Sequence, residues 1–238
     1  MMLTPWLTPS HFVMLGLLLT FAIAHRGGAA MRPWAEKYIG ARLYRVFFAL
    51  ISLPLAVILI IYFINHRYDG LLLWQVQGVS GVREVVWLLS AISFLFLYPA
   101  TFNLLEIAAI QKPQVYLFET GIIRITRHPQ MVGQIIWCVA HTLWLGTSFT
   151  LVTSIGLVLH HVFGVWHGDR RLLHRYGEAF EIVKQRTSII PFRAILDGRQ
   201  SLKWQEYLRP AYLGVAIFVV LLWLSHPLLL EATSRIKW

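Results

Sequence analysis

Six apolar runs, at roughly 10–31, 44–64, 85–107, 130–146, 149–167 and 210–230, constrain this chain more than any other feature. Each approaches the ~20 residues that a helix needs to cross the hydrocarbon of a bilayer. A spanning segment must satisfy its own backbone hydrogen bonds, so the runs predict helices. Composition agrees: 57% of the 238 residues are apolar and 13% are charged, where soluble domains carry about a quarter. The expectation is an all-α, polytopic membrane helix bundle of about six transmembrane helices, forming one integral membrane domain over 1–238.

Charge sets the expected orientation. The turns 26–45, 111–127 and 167–209 hold 5, 3 and 9 Lys/Arg, which is 17 of the 21 in the chain. The positive-inside rule puts these turns in the cytoplasm, or its topological equivalent, and both termini on the other side. Topology and anionic lipid thus account for the formal net charge of +10, and a nucleic-acid role is not needed. The first run has no basic stretch before it and continues through His25 and Arg26, which predicts a retained helix and not a cleaved signal peptide. With no Ser/Arg-rich transit sequence at the start, a cyanobacterial thylakoid or plasma membrane, or a trimmed plastid protein, is expected.

Two further local expectations follow. Pro99 should kink the third helix, with Asn103 and Glu106 making its inner end polar. In DRRLLHRYGEAFEIVKQR, Leu172, Leu173, Tyr176, Phe180 and Val183 alternate with charged residues at helical spacing. That pattern predicts an amphipathic helix on the cytoplasmic face, within a segment of about 169–200, after which SIIPF turns the chain back toward the bilayer.

Polar residues inside apolar helices are costly and mark function. On the fourth run Gln130, Gln134, Cys138 and His141 form one stripe, flanked by Trp137 and Trp144. On the fifth, Thr153, Gly156, His160, Gly164 and His167 form another, with His161 beside it. His25 closes the first. A lone membrane histidine is often only an interhelical hydrogen-bonding group, and a lone cysteine a small apolar filler. Several histidines, His25, His141, His160 and His161 among them, and a thiol in one bundle suit a cofactor better. The single cysteine excludes a disulfide and a cysteine cage. Zinc spacings such as H-E-x-x-H and C-x-x-C are missing, and only Glu106 lies near a position for a carboxylate di-iron site. Haem, which needs one or two axial ligands and an apolar slot, is the leading cofactor.

The stretches AHRGGAAMRP, TRHPQ, CVAHTLW, HHVFGVWHGDRR and YGEAFEIVKQRTS resemble the 15-cis-zeta-carotene isomerase family, part of the wider NnrU-type group of membrane proteins. The resemblance implies a cis-trans isomerase that rotates the central double bond of tri-cis-zeta-carotene to give the di-cis form. It also implies a redox-sensitive b-type haem, active when its iron is reduced, and the lipid bilayer and carotenoid desaturases as surroundings and possible partners. It makes His25 and His141 the axial iron ligands and Cys138 a group that exchanges with His141. Helical rise places His25 ~10 Å and His141 ~16 Å from the cytoplasmic boundary, an offset a tilted haem could span. His160 and His161 lie nearer the level of His25 and are reserve ligands or pocket-lining groups. His66 and His11 are expected at the opposite face in structural or solvated roles.

A rival resemblance exists. RHPQM and the later GDRRLLHRYGEAFEIVKQRTSIIP are similar to S-adenosylmethionine-dependent membrane methyltransferases of the isoprenylcysteine and phospholipid type. Met131 stands where that family prefers tyrosine, and Gly168-Asp169 stands at its Glu-Glu pair, which weakens the methyl-donor site. Shared fold does not carry function. It does make Arg127, His128, Asp169, Arg170, Tyr176 and Gly177 a candidate vestibule, with His167, Trp137 and Trp144 as candidate substrate-pocket residues. A non-enzymatic haem-carrying membrane factor is the third reading.

Overall fold

The computed structural model describes residues 6–97 and 119–236. In chain order these form α1 (Pro9–Ile39), α2 (Ala41–His66), α3 (Val82–Leu97), α4 (Ile122–Ile125), α5 (Pro129–Leu145), α6 (Ser148–Tyr176), α7 (Glu178–Arg186), α8 (Arg193–Leu196) and α9 (Pro210–Ser234). A short 3-10 turn, Trp204–Tyr207, precedes α9. The fold is a helical membrane bundle, in which α1, α2, α6 and α9 are long and apolar enough to cross a bilayer. The expected third helix appears as α3 up to Leu97; the expected Pro99 kink and the polar Asn103 and Glu106 lie outside the described residues. The expected fourth helix is α5, whose 17 residues span about 26 Å, slightly short of the ~30 Å hydrocarbon core.

Local chemistry explains the ends of these helices. Pro129 opens α5 at a position where its missing N–H is no loss, and Gly146 closes it in the left-handed region. The Thr147 side chain accepts from the backbone N–H of Thr150 and starts α6. At α1, His11 takes the place of the usual acid in a capping box, its Nδ1 accepting from the backbone N–H of Thr8 at 3.0 Å.

Two expected boundaries are corrected. The first helix continues past residue 31 to Ile39, straight through Pro33. The fifth continues past 167 to Tyr176, because nothing between His167 and Tyr176 breaks a helix. The expected amphipathic helix is therefore not one element. Its first half is the end of α6, Gly177 interrupts it at φ 51°, and α7 carries the rest with Phe180 and Val183 buried. Residues 187–192 then bond to the chain before α5: Arg127 N–H donates to Ser188 O, and Phe192 N–H to Ile125 O, both at 2.9 Å.

The two ends of the bundle are closed differently. At the end where α1 begins, the α2–α3 loop lies across the α5–α6 joint, with Leu73 N–H donating to Gly146 O at 2.7 Å and Ser148 N–H to Leu71 O at 2.8 Å. His11, fully buried, contacts Ser148 Oγ at 3.2 Å, and Met14, Leu18, Tyr62 and Phe149 pack beneath it. His66 pairs with Asp69 at 2.8 Å on the same end. Both histidines have the structural roles expected of them. At the other end, Arg124 is locked to the chain before α9 by Glu206.

Between the ends, helices meet at small residues. α3 packs on α5 at Gly133, where an added Cβ would stand 2.7 Å from the Ser93 carbonyl oxygen and 3.1 Å from Leu97 N. Backbone cannot yield as a side chain can. Gly133→Ala is expected to destabilise the bundle by about 1–3 kcal/mol, despite alanine's better helix propensity. Thermal unfolding in detergent checks it, and a melting temperature equal to or above the parent's would refute this close packing.

Candidate histidine centre

α1 and α6 run side by side in the same direction, and the residues that allow it are visible in the sequence. Leu18 of α1 lies on Gly156, and Arg26 lies on Gly164, so the glycine stripe of α6 faces α1. Between these contacts the rings of His25 and His160 come together with centroids 6.4 Å apart. His25 stacks on Phe21 at 5.2 Å and meets Phe48 of α2 at 5.0 Å. His161 stands edge-on to His160 at 5.5 Å. The Nδ1 atoms of His25 and His160 are buried, and neither has a hydrogen-bond partner. Buried polar atoms are satisfied in the great majority of cases, so two orphans in one place require explanation.

His141 and Cys138 sit elsewhere. His141 stacks on Trp137 at 3.8 Å and donates from Nδ1 to the Trp137 carbonyl at 3.0 Å. That bond fixes Nε2 as the lone-pair nitrogen of the neutral ring. Trp137 in turn packs on Phe63 of α2. Cys138, 3% exposed, accepts from Gln134 Nε2 at 3.5 Å and bonds to Ser154 of α6. One residue type thus faces α2 and the other α6, although they are three positions apart. Sequence reasoning missed His226 of α9, which lies within electrostatic reach of His141 and meets Trp87 edge-on at 5.4 Å. The signal was present: His226 interrupts an apolar run as the other histidines do.

The b-type haem implied by the resemblance can be tested against this layout. Two imidazoles bracketing one iron at about 2 Å per bond have ring centroids roughly 6 Å apart. His25 and His160 meet that separation. His25 and His141 do not share a neighbour. Thr142, next to His141, bonds to Ser154, six residues before His160 on α6, which is about 9 Å of helix. On α2, Phe48 and Phe63 mark the two places and are about 22 Å apart along the axis. Phe21, however, is 5.2 Å from His25 and 5.5 Å from His160, so its ring fills the plane midway between them, and the pair as it stands does not fit a tetrapyrrole. His141 and Cys138 lie outside that pair in this conformation.

Three of the six vestibule residues, Arg127, His128 and Asp169, converge, while Arg170 lies over the Trp166 ring. Asp169 Oδ2 accepts from Arg127 Nη2 at 3.2 Å and Nε at 3.3 Å, while its Oδ1 is 2.9 Å from His128 Nε2, off the line of a hydrogen bond. All three side chains are largely buried. His167 is exposed, and Trp144 is engaged at its carbonyl by Gln77, so neither joins them. The same end holds a cluster that sequence reasoning did not find. Glu206 accepts from Arg124 Nε at 2.8 Å, Arg124 Nη2 at 2.9 Å and Gly121 N–H at 2.5 Å, and Arg124 Nη1 donates to Gln200 at 2.6 Å. The guanidinium holds the Glu206 carboxyl down at about 2. Residues 82 apart carry no sequence signal of such a pair.

Known proteins resemble this chain in sequence. The chain is 56% identical over 229 residues to a protein named 15-cis-zeta-carotene isomerase, chloroplastic, from Zea mays, covering 95% of this chain and 63% of that one. It is 57% identical over 228 residues to the protein of the same name from Arabidopsis thaliana, covering 94% and 62% respectively. The chain thus spans somewhat less than two thirds of the length of these relatives. No solved structure matches. The description of the NnrU protein family matches residues 13–234, nearly the whole bundle, and the chain belongs to that family.

Proposed function

We propose that this chain is a carotenoid cis-trans isomerase that rotates the central 15-cis double bond of tri-cis-zeta-carotene to trans, giving the di-cis isomer. The observation that carries the reading is the 56–57% identity, over 94–95% of the chain, to relatives bearing that activity in their names. The surface supports it, since a hydrocarbon substrate enters from lipid and the long helices expose Leu, Ile, Val, Phe and Trp along their length. The helices would then cross the membrane several times, in a photosynthetic or plastid membrane, with carotenoid desaturases as neighbours.

The haem b that the resemblance implies would need His25 and either His141 or His160 to move from the positions they hold here, with Phe21 displaced from between the imidazoles. Phe21, Phe48 and the α1–α6 contact keep water from the imidazoles. The Nδ1–H of His141, held by the Trp137 carbonyl, leaves Nε2 free to face a ligand or the polyene, and Cys138 remains a second soft donor on the same helix. No proton transfer is needed, and the reaction is redox-neutral.

The test uses a bacterial strain that accumulates tri-cis-zeta-carotene. Expression of this chain is expected to convert it to the di-cis isomer, read by chromatography, and His25→Ala to abolish the conversion. A Soret band with sharp reduced α and β bands in the purified protein, lost in His25→Ala, would show that the helices open to admit a haem b. An unchanged isomer profile with the protein present in the membrane would reject the activity. Binding of S-adenosylmethionine to the purified protein would favour the methyltransferase instead.

A further inference from the structure

The most exposed large apolar side chains among the described residues are not on the long apolar helices. They lie in the segment between α7 and α9: Leu208 is 85% exposed, Leu196 82% and Trp204 74%, each more than any apolar residue of α1, α2, α6 or α9. Ile190 and Phe192 of the same segment are exposed as well. Apolar side chains gathered on a surface in this way mark a place where something other than water covers them.

The segment is firmly held, so its tips are presented and not merely loose. Thr126 Oγ1 donates to Ile189 O at 2.7 Å, and the Tyr207 hydroxyl donates to Gly121 O at 2.9 Å. Ala194 is fully buried where α8 packs on α4. Phe192 adopts φ 63°, the only non-glycine residue among those described with a positive φ, and a bulky side chain is strained there.

Cations stand beside the apolar tips. Exposed Arg193 follows Phe192, exposed Lys203 precedes Trp204, and exposed Arg209 follows Leu208. Residues 186–209 hold five Lys/Arg and two carboxylates, and both carboxylates are engaged, Asp197 by Arg193 and Arg199, and Glu206 by Arg124. Lys203 and Arg209 make no ion pair among the described residues. The loop at the opposite end, 67–81, also exposes Tyr68, Leu72, Trp74 and Val79, but its charged residues are one arginine and one aspartate. Only the end where α9 begins joins apolar tips to surplus positive charge.

The level of the segment follows from α9. Its 25 residues span about 37 Å, more than the ~30 Å hydrocarbon core, so Pro210 and the residues just before it reach the headgroup layer. Apolar and aromatic tips at that level suit the acyl boundary, and neighbouring cations suit anionic headgroups. We infer that residues 190–209 form a platform seated in the interface of an anionic leaflet. Leu196, Trp204 and Leu208 enter the acyl boundary, and Lys203 and Arg209 hold the phosphates of anionic phospholipid. Through the Arg124–Glu206 pair the platform is tied to the chain before α5, so it sets how deep that end of the bundle sits. It does not depend on the reaction the bundle performs.

A fluorophore on one thiol tests this. Cys138 is the single cysteine and is buried, so Leu208→Cys or Leu196→Cys supplies the one reactive site. The labelled full chain is reconstituted in vesicles of phosphatidylcholine and phosphatidylglycerol. Lipid brominated near the headgroup is expected to quench the probe strongly, and aqueous iodide weakly. At equal mole fraction, brominated phosphatidylglycerol should quench about twofold or more as efficiently as brominated phosphatidylcholine, since each surface cation favours anionic lipid. Lys203→Gln with Arg209→Gln should bring that ratio close to one, and Lys203→Arg with Arg209→Lys should keep it. Circular dichroism checks that each variant is helical, and the probe at residue 196 gives a second reading if the one at 208 disturbs the fold. A ratio of one in the labelled parent overturns the assignment to anionic lipid. Quenching by iodide alone places the segment in water and overturns the platform. A probe shielded from both quenchers until the chains are diluted into more lipid means that a second copy covers this face, which overturns it too.

Discussion

Arg124→Ala is expected to lower the stability of the bundle by about 3–5 kcal/mol, the usual loss when one partner of a buried ion pair is removed. The magnitude follows from what remains. Glu206 would keep a buried charge with one backbone donor, Gly121 N–H, where it now has three N–H groups. The side chains of the pair are only 11% and 15% exposed, so water cannot replace the guanidinium. Gln200 Oε1 would keep only the Ser201 N–H. Unfolding by denaturing detergent, followed by circular dichroism, gives the loss; a value below about 1 kcal/mol would mean that the pair behaves as a surface bridge. Replacing both partners by apolar residues should recover much of the loss, because no charge is left stranded.

The same pair sets an acid limit. The folded-state carboxyl of Glu206 is depressed from 4.5 to about 2. A depressed carboxylate contributes stability that is fully present above its unfolded value and is lost as pH falls through the folded one. The contribution should therefore hold above about pH 4.5 and fade between there and about 2. Glu206→Gln should flatten the stability profile in that window alone.

Gly146→Ala is expected to cost roughly 3 kcal/mol or more, from two additive sources. The residue sits at φ 64°, where alanine loses about 1–2 kcal/mol. Its new Cβ would also overlap the Trp74 carbonyl oxygen and come within 3.0 Å of the Trp74 ring. That carbonyl belongs to the loop whose N–H groups at Leu73 and Trp74 are bonded to Gly146 O, so the loop cannot retreat without breaking the closure of this end. Gly214→Ala in α9 is the contrast. Nothing lies within 4 Å of its position, and the substitution should be neutral or stabilise by up to about 1 kcal/mol. Comparable melting temperatures for the two variants would show that the joint is not packed in this way.

Which histidine meets which could not be read from spacing. Cys138 and His141 share a helical face in projection, yet Gln134 and Ser154 engage the cysteine while Trp137 engages the histidine. Gln134 and Trp137 lie on α5 itself, one turn before the groups they engage, and only Ser154 comes from another helix. His160, which spacing offered only as a reserve, stands against His25 because α1 and α6 are parallel and their small residues let them approach. Arg127, His128 and Asp169 were legible as a group, since Pro129 fixes one helix start and Asp169 lies toward the end of another. Arg124 and Glu206 were not, because loops bring them together.

By itself the sequence determined the long apolar helices and the polar residues set within them, because a bilayer-spanning helix depends on nearest neighbours along the chain. It also determined the glycines of α6, whose spacing is a statement about one face. Only the tertiary structure decided the place of each polar group in the bundle and the partner it meets. Those depend on relative shift and direction of separate helices. Helix-to-helix shifts arise from packing among residues far apart in sequence, and a slide of one turn changes every pairing while leaving each helix intact.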